Sequence, residues 1–422
     1  MKVRCGYDNE ARRLTTTLQT RCCIVGGGPA GMMLGFLLAR AGVDVVVLEK
    51  HADFLRDFRG DTIHPSTLEV MYELGILEEF LKRPHQEVRE LSAQVGDEML
   101  GIADFSHLPT HCKFLALMPQ WDFLNFIVEQ GKRYARFQAK MQAEAVGLIK
   151  QDGRIVGVSV KTPAGLVEIR AGLTVGADGR HSIVRELAGF EVEDLGAPID
   201  VLWMRISRRP NDREQTLGHA VAGRILVMIN REDYWQCAFV IPKGAADEIR
   251  KRGIEQFRQD IANLEPFLRD RVNELREWND VSLLTVKVDR LRKWWRPGLL
   301  CIGDAAHAMS PVGGVGINLA IQDAVASANI LSAKLGADNL SDRDLAAVQR
   351  RREFPTRATQ RLQVAIQNRV IRRVLSSSEA LTVPWPLRLL QLWPSLRRIP
   401  ARVVGLGFRP ENVRTPESSQ SH

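Results

Sequence analysis

Cys22-Cys23-Ile24-Val25-Gly26-Gly27-Gly28-Pro29-Ala30-Gly31 runs through Met32-Met33-Leu34-Gly35 to Val43-Asp44-Val45-Val46-Val47-Leu48-Glu49. The order reads as strand, tight glycine turn, helix and second strand, closed by an acid. Each position has a physical reason. Gly26 lets the chain turn sharply out of the first strand, Gly28 presents no side chain to a pyrophosphate, and Gly31 lets the helix pack close to the sheet. A diphosphate would sit on the helix N-terminus, where unpaired N–H groups and the positive dipole end favour an anion. Glu49, followed by Lys50, is placed to accept hydrogen bonds from an adenosine ribose, and its charge would repel a 2′-phosphate. The unit predicts a dinucleotide-binding α/β domain and does not by itself separate FAD from NAD.

Working outward, 422 residues at 45% hydrophobic can bury a sizeable core and hold two or three domains. Six cysteines (Cys5, Cys22, Cys23, Cys112, Cys237, Cys301) show no metal-ligand spacing, so no metal is expected and a reducing cytoplasm fits. No apolar run approaches the ~20 residues that span a bilayer, and residues 1–20 read as a loose polar extension. The net charge of +8 is local. From Ala346 onward there are fourteen Arg, no Lys and four Glu, leaving the rest slightly negative. Nothing resembles a nucleic-acid-binding module, and nucleic acid is excluded as a partner.

Past Glu49, Arg59 falls in a loop on the ligand side of the sheet, and Ser66 reads as the cap of a helix carrying Leu68, Met71 and Leu74 and ending at Gly75. His64 is read as orienting this loop. Gln120 opens an amphipathic helix, pointing an amide where a cofactor would lie. Strands over Gln142–Leu148 and Ile155–Val160 flank the hairpin turn Asp152-Gly153. A third strand, Leu173-Thr174-Val175-Gly176, returns to the first sheet and ends in Ala177-Asp178-Gly179-Arg180, with Ser182 and Arg185 one helical turn apart behind it. Strands at Val201–Ile206, Arg224–Ile229 and Trp235–Ile241, then a helical stretch over Ile249–Glu277, suggest a substrate domain. The chain next returns to the cofactor. A buried strand leads into Gly303-Asp304 and on to Pro311-Val312-Gly313-Gly314-Val315-Gly316-Ile317-Asn318 and a helix. Asp304 can hold ribityl hydroxyls, while the glycines bring N–H groups and a helix N-terminus against a flat electron-accepting ring.

With these motifs in hand, the chain resembles the FAD-dependent aromatic hydroxylases, the group A flavoprotein monooxygenases. The resemblance covers roughly Arg21 to Pro355 and rests on Gly26-x-Gly28-x-x-Gly31, Asp178-Gly179, and Gly303-Asp304 with Pro311 seven residues after Asp304. It implies an α/β fold with a Rossmann-like FAD-binding domain (21–87, 111–190 and 281–345), an inserted α+β substrate domain of mixed sheet (88–110 and 191–280) and a helical, Arg-rich C-terminal region (346–422). It implies non-covalent FAD, with the pyrophosphate at Gly26, Gly28, Pro29, Ala30 and Gly31 and the ribose at Glu49 beside Lys50. Further FAD contacts fall at Arg59, Gln120 and the backbone of Ala145, where the family often has valine. The ribityl chain falls at Asp304, the ring at Pro311, Gly314, Gly316, Ile317 and Asn318, and Asp178, Gly179 and Arg180 serve both FAD and an NADH or NADPH donor.

The implied reaction is hydroxylation of a phenolic, polycyclic or quinone-precursor aromatic with NAD(P)H and O2, through a flavin hydroperoxide. Arg59, Arg205 and Tyr234 are the candidate catalytic groups. The paired tyrosines that activate a phenol in p-hydroxybenzoate hydroxylase have no counterpart that can be assigned here. An apolar pocket that excludes water is expected, with Trp203, Met228 and Phe239 as lining. The related flavin halogenases carry Trp-x-Trp-x-Ile-Pro, whereas this chain has Cys237-Ala238-Phe239-Val240-Ile241-Pro242, which disfavours halogenation. Two other readings stay open: an FAD-dependent reductase of isoprenoid double bonds, and a non-catalytic flavin-binding redox sensor. The C-terminal stretch 383–404 mixes Trp and Leu with Arg, and suits packing on the FAD domain, a subunit contact in a homodimer, or weak contact with an anionic membrane surface. Prolines at 384, 386, 394 and 400 prevent one long amphipathic helix.

Overall fold

The computed structural model describes residues 16–55, 62–213 and 217–418. Four apolar runs build the centre of an eight-stranded sheet. Strand Thr16–Val25 lies between Val45–Leu48 and Gly165–Gly176, parallel to both, and Gly165–Gly176 also pairs in parallel with Leu299–Cys301. Their inward runs, Cys22–Val25, Val45–Leu48, Leu173–Gly176 and Leu299–Cys301, are buried, as expected of parallel strands covered on both faces. Helices Pro29–Arg40 and Gly316–Gly336 pack together over the sheet. The hairpin Glu144–Gln151/Arg154–Thr162 turns through Asp152 and Gly153, both at positive φ (49° and 76°), and joins this sheet through Gly165–Gly176.

A separate seven-stranded sheet runs in the order Ser282–Leu284, Ile199–Ser207, Tyr234–Pro242, Arg224–Asn230, Leu217–Val221, Glu90–Val95 and Glu98–Asp104. Strand alternation gives it two apolar faces. Leu202, Met204, Ile206, Leu226, Met228, Trp235, Cys237 and Phe239 pack against helix Ile254–Leu264 and the turns that follow. Val201, Trp203, Val227, Ala238 and Val240 face the other way, where Ile371 and Leu375 lie against them. Small sheets of three and two strands, Thr62–Ile63/Leu115–Leu117/Gln86–Val88 and Val192–Asp194/Asp289–Leu291, join the two halves.

Four expected boundaries shift. The first strand begins at Thr16, so residues 16–20 are held by pairing with Val167–Ala171 instead of belonging to a loose extension. Val88 pairs with Leu115 in the three-stranded sheet, and Ser282–Leu284 is an edge strand of the seven-stranded sheet. The division at 345/346 cuts a single helix, Asp342–Ile366, whose N-terminus is fixed by reciprocal Ser341 and Asp344 bonds. Ser66 is not a cap: the helix runs Pro65–Glu73 from His64, and the Ser66 hydroxyl donates instead to Asn318 Oδ1 (2.7 Å).

Candidate active site

The glycine turn is built by contacts that leave no room for a side chain. At Gly26, with φ of 109°, a Cβ would stand 2.3 Å from the Ala177 carbonyl oxygen, and at Gly31 it would stand 1.9 Å from the Gly26 carbonyl oxygen. Ala177 N also donates to Val25 O (2.7 Å), which presses the Asp178-Gly179 turn onto the first glycine. Gly303, with φ of 58°, approaches Ala30, where its Cβ would meet the Ala30 methyl at 3.1 Å. The three motifs, far apart in sequence, therefore touch. Gly28 is the exception: no atom lies within 4 Å of where its Cβ would be, so the turn opens at that point onto free space.

Polar groups around the opening fit a dinucleotide. Glu49 is buried, with Oε2 accepting from Gly27 N (3.1 Å) and Oε1 from His51 N (3.0 Å), so its carboxylate is held at the glycine turn. Lys50 is exposed beside it, and Ala145 sits on the adjoining strand, which Glu49 reaches through the Ala143 N–H to its own carbonyl (2.8 Å). Arg180 Nη2 donates to Asp304 Oδ2 (3.4 Å), while Arg180 Nη1 is buried with no partner. Asp178 Oδ2 accepts from Val184 N (3.1 Å), its Oδ1 is buried and unpaired, and burial raises its carboxyl above the usual range. Two orphaned polar atoms beside an open glycine cradle are what a bound polar ligand would satisfy. Gln120 is half-buried at the first residue of helix Gln120–Gly131. Arg59 lies outside the described residues.

The loop from Pro311 to Asn318 carries Gly313 and Gly314 at positive φ (79° and 63°) and opens helix Gly316–Gly336. His64 is buried between two carbonyls, with Nε2 3.0 Å from Gly314 O and Nδ1 2.8 Å from Val404 O, and so ties the loop to the C-terminal segment; burial lowers its pKa, against the opposite pull of the two carbonyls. Asn318 Oδ1 accepts from Ser66 and Thr67, so that side chain ties two helices together. Beneath Gly303, the buried Asp323 accepts from Gly303 N (3.0 Å), His307 Nε2 (2.6 Å) and Arg352 Nε (2.9 Å). Burial alone would raise the Asp323 carboxyl, but His307 and Arg352 outweigh it and hold it low. Sequence reading missed this network. Its signal was an acid inside the apolar helical stripe of Ile317, Ile321, Ala324 and Ala328.

In the seven-stranded sheet, the Arg205 guanidinium lies over the Tyr234 ring at 4.8 Å, and both share a face with Trp203, Gln236 and Ala238. That face points toward the C-terminal helices. Met228 and Phe239 do not line it: the two-residue period turns them to the opposite side, against Phe257. A cleft of about 420 Å³ beside the Asp178 turn is lined by Arg180, His181, Ser182, Arg185, Glu186, Phe190 and Val192. Ser182 caps the short helix Ile183–Leu187 by accepting from Arg185 N (3.0 Å). Among the described residues no group of His, Cys, Asp and Glu is arranged to hold a metal.

A family model for the FAD binding domain matches residues 19–362. The chain is 33% identical over 387 residues to 6-methylpretetramide 4-monooxygenase of Streptomyces rimosus, covering 91% of this chain and 92% of that protein. It is 24% identical over 340 residues to para-nitrophenol 4-monooxygenase of Pseudomonas sp. strain WBC-3, covering 78% and 82%. The crystal structure of p-nitrophenol 4-monooxygenase PnpA from Pseudomonas putida DLL-E4 superposes with a TM-score of 0.70 at 20% identity, over 91% of this chain and 99% of that one, which is a likeness of fold. With its glycine cradle and the match across most of its length, this chain belongs to the FAD-dependent aromatic monooxygenases, the group A flavoprotein monooxygenases.

Proposed function

We propose that this monooxygenase hydroxylates a phenolic or polycyclic aromatic compound, with NADH or NADPH as electron donor. The observation that carries the reading is the contact of Gly26, Ala177–Asp178 and Gly303–Asp304 around one opening at Gly28. Bound there, FAD supplies the electron-accepting and oxygen-activating chemistry. In this reading Gly26, Gly28, Pro29, Ala30 and Gly31 hold the pyrophosphate on the helix N-terminus. Glu49 takes the ribose, with Lys50 and Ala145 alongside, and Gln120 lies over the cofactor. Asp304 and Arg180 hold the ribityl chain, and Pro311, Gly314, Gly316, Ile317 and Asn318 present main-chain groups to the ring. The nicotinamide donor approaches through the Arg180–Val192 cleft, where Arg180 offers charge and Phe190 an aromatic surface. The sheet face with Trp203, Arg205 and Tyr234 takes the aromatic substrate. 6-Methylpretetramide 4-monooxygenase, the relative matched over most of both chains, favours a polycyclic phenol.

The test is a screen of phenolic and polycyclic aromatics for stimulated NAD(P)H oxidation with O2 uptake and product mass. Gain of one oxygen atom supports the reading. Reduction of a substrate double bond without O2 uptake would move the protein to the reductases, and bound flavin with no NAD(P)H oxidation on any compound would move it to the sensors. No described helix is long and apolar enough to cross a membrane. The five described cysteines are buried free thiols, which supports a cytoplasmic setting. We assign the outward face of the C-terminal helices to an anionic lipid surface, because a two-fold contact of that face with a second copy would set arginine against arginine.

A further inference from the structure

Helix Asp342–Ile366 and the π-helical turn Gln367–Ile371 that continues it bury an unusual face. Residues 349, 352, 356, 360, 363 and 367 follow a spacing of three and four, which puts them on one side of a helix, and every one of them is polar. Such a stripe is normally apolar. Here it pairs with main chain. Gln349 accepts from Trp294 N (3.1 Å) and donates to Arg292 O (2.9 Å). Gln360 Nε2 donates to Asp289 O (2.8 Å) and Ala308 O (3.1 Å). Gln363 Oε1 accepts from Ser310 N (3.2 Å), and its Nε2 donates to Ser310 O (3.0 Å) and Val312 O (2.8 Å). Gln367 Nε2 donates to Ser310 Oγ (2.6 Å), and that hydroxyl accepts in turn from Val312 N (3.2 Å).

Gln360, Gln363 and Gln367 are all buried, and together they grip residues 308–312 through both edges of the peptide chain. This is the segment that leads into Gly313, Gly314 and the N-terminus of helix Gly316–Gly336. A loop with two left-handed glycines has little conformational preference of its own, so its position must be imposed from outside. The π turn bears on this too, since an extra residue in a helical turn re-aims the side chains around it and such turns gather at functional sites.

We propose that Gln360, Gln363 and Gln367 are positioning residues that set the height of the 311–316 loop against the flavin ring and so tune its reduction. The proposal rests on the placement of the ring at this loop. The glutamines touch neither cofactor nor substrate. They act through Ser310 and Val312, which fix where the N–H groups and the positive helix end fall. A reduced flavin carries more negative charge than an oxidised one, so displacement of that positive end weakens binding of the reduced form more than of the oxidised form.

The experiment measures the affinity of apoprotein for oxidised FAD and the two-electron potential of bound flavin, in the parent and in Gln363→Leu. The expected result is oxidised FAD bound within roughly three-fold of the parent, and reduced FAD weakened roughly ten-fold more than the oxidised form, which is a potential lowered by about 30 mV. Gln349→Leu is the control: it removes two bonds from the same stripe but none to the loop, and should leave the potential in place. An unchanged potential in Gln363→Leu, or an equal shift in Gln349→Leu, would overturn the proposal. If Gln363→Leu does not fold, Gln367→Met decides, since it loses only the bond to Ser310 Oγ: a smaller shift in the same direction supports the proposal and no shift overturns it. Asp304→Ala keeps the two readings apart. Should it retain tight FAD, the cofactor placement itself fails; should it lose FAD while Gln363→Leu behaves as the parent, only the positioning role fails.

Discussion

Asp304 sits half-exposed at the mouth of the glycine cradle with a single long contact to Arg180, so most of its acceptor capacity is open. Replacing it by alanine removes a charged acceptor from ribityl hydroxyls, a loss of about 1.5–3 kcal/mol, and FAD affinity should fall roughly 10- to 100-fold. Fluorescence titration of the apoprotein checks this, and a fully flavinated Asp304→Ala preparation would contradict it. Arg205 lies over the Tyr234 ring on the face of the sheet proposed to take the substrate, where its guanidinium would favour the phenolate of a substrate bound nearby. Tyr234→Phe and Arg205→Ala should each lower kcat, with whichever aromatic the screen identifies, by about ten-fold or more at unchanged FAD content; wild-type turnover in both would remove them from the chemistry. Asp212 shows the other kind of charged residue. Its carboxylate is gripped by Arg271 (2.6 and 3.0 Å) and Trp235 Nε1 (2.9 Å). Although burial works against it, these bonds hold its pKa down at about 2. A carboxylate depressed from about 3.9 stabilises the fold above that value and loses the effect as pH falls toward the folded value. Asp212→Asn should therefore cost about 2 kcal/mol at pH 7 in urea unfolding, with the gap closing between about pH 4 and pH 2. A gap that persists below pH 2 would mean packing, not charge, is lost. The glycine turn was legible in sequence because what it demands of its residues is a main-chain conformation. Asp212 and Asp323 could not, because their partners lie 59 residues away at Arg271 and 16 and 29 residues away at His307 and Arg352.

Among the elements, the strand, turn and helix from Cys22 to Arg40 were legible because hydrophobic period, glycine spacing and the following strand all agree. The structure adds that Gly31 packs on the turn, with its Cβ position 1.9 Å from Gly26 O, so the helix and the turn are one unit. Gly31→Ala should lift the helix off the turn, destabilise the protein by about 3 kcal/mol, and abolish stable flavin binding; unfolding midpoint and flavin content measure the two effects together. Alanine tolerated with full flavin would show that the turn has slack. The helix Asp342–Ile366 was harder to read. A period search looks for apolar residues, and this helix buries Arg352, Thr356, Gln360 and Gln363 instead, so its Arg-rich outer face dominated the reading and its inner face looked like more surface. The seven-stranded sheet was legible as strands but not as faces. Its middle strands are apolar on both sides, so alternation alone does not say which side meets the ligand, and Met228 and Phe239 fell on the side that packs against helix Ile254–Leu264.

Seen as a whole molecule, the C-terminal fifth wraps the nucleotide half and then exposes a face of its own. Its end is tied down: Arg351 and Arg352 meet Glu411, Arg40 meets Glu417, Tyr134 OH donates to Glu417 (2.7 Å), and Ser418 N donates to Arg40 O (2.7 Å). Helices Trp385–Leu392 and Arg398–Gly405 pack inward on strand Glu98–Asp104, through Gln391 bonded to the Gly101 carbonyl (2.9 Å) and through the fully buried Ala401. Outward they present Trp385, Leu392, Trp393 and Ile399, which are 58–73% exposed, together with Arg388, Arg398 and Arg402. No carboxylate occurs between Glu379 and Glu411; among the described residues, the one acid that meets these three arginines is Asp104, near Arg398, on the strand beneath. Tryptophan and leucine beside exposed arginines suit the boundary of an anionic bilayer, where the rings sit at headgroup depth and each arginine near the surface adds about 1 kcal/mol. The protein should co-sediment with phosphatidylserine-containing vesicles at low ionic strength, be released by salt as screening shortens the reach of the charges, and ignore neutral phosphatidylcholine vesicles. Trp385→Ser with Trp393→Ser should weaken sedimentation without loss of flavin, because neither side chain contributes to the core. Absence from the anionic pellet at low salt, or a salt-insensitive association with neutral vesicles, would refute the lipid assignment and leave these helices as a cap on the end of the seven-stranded sheet.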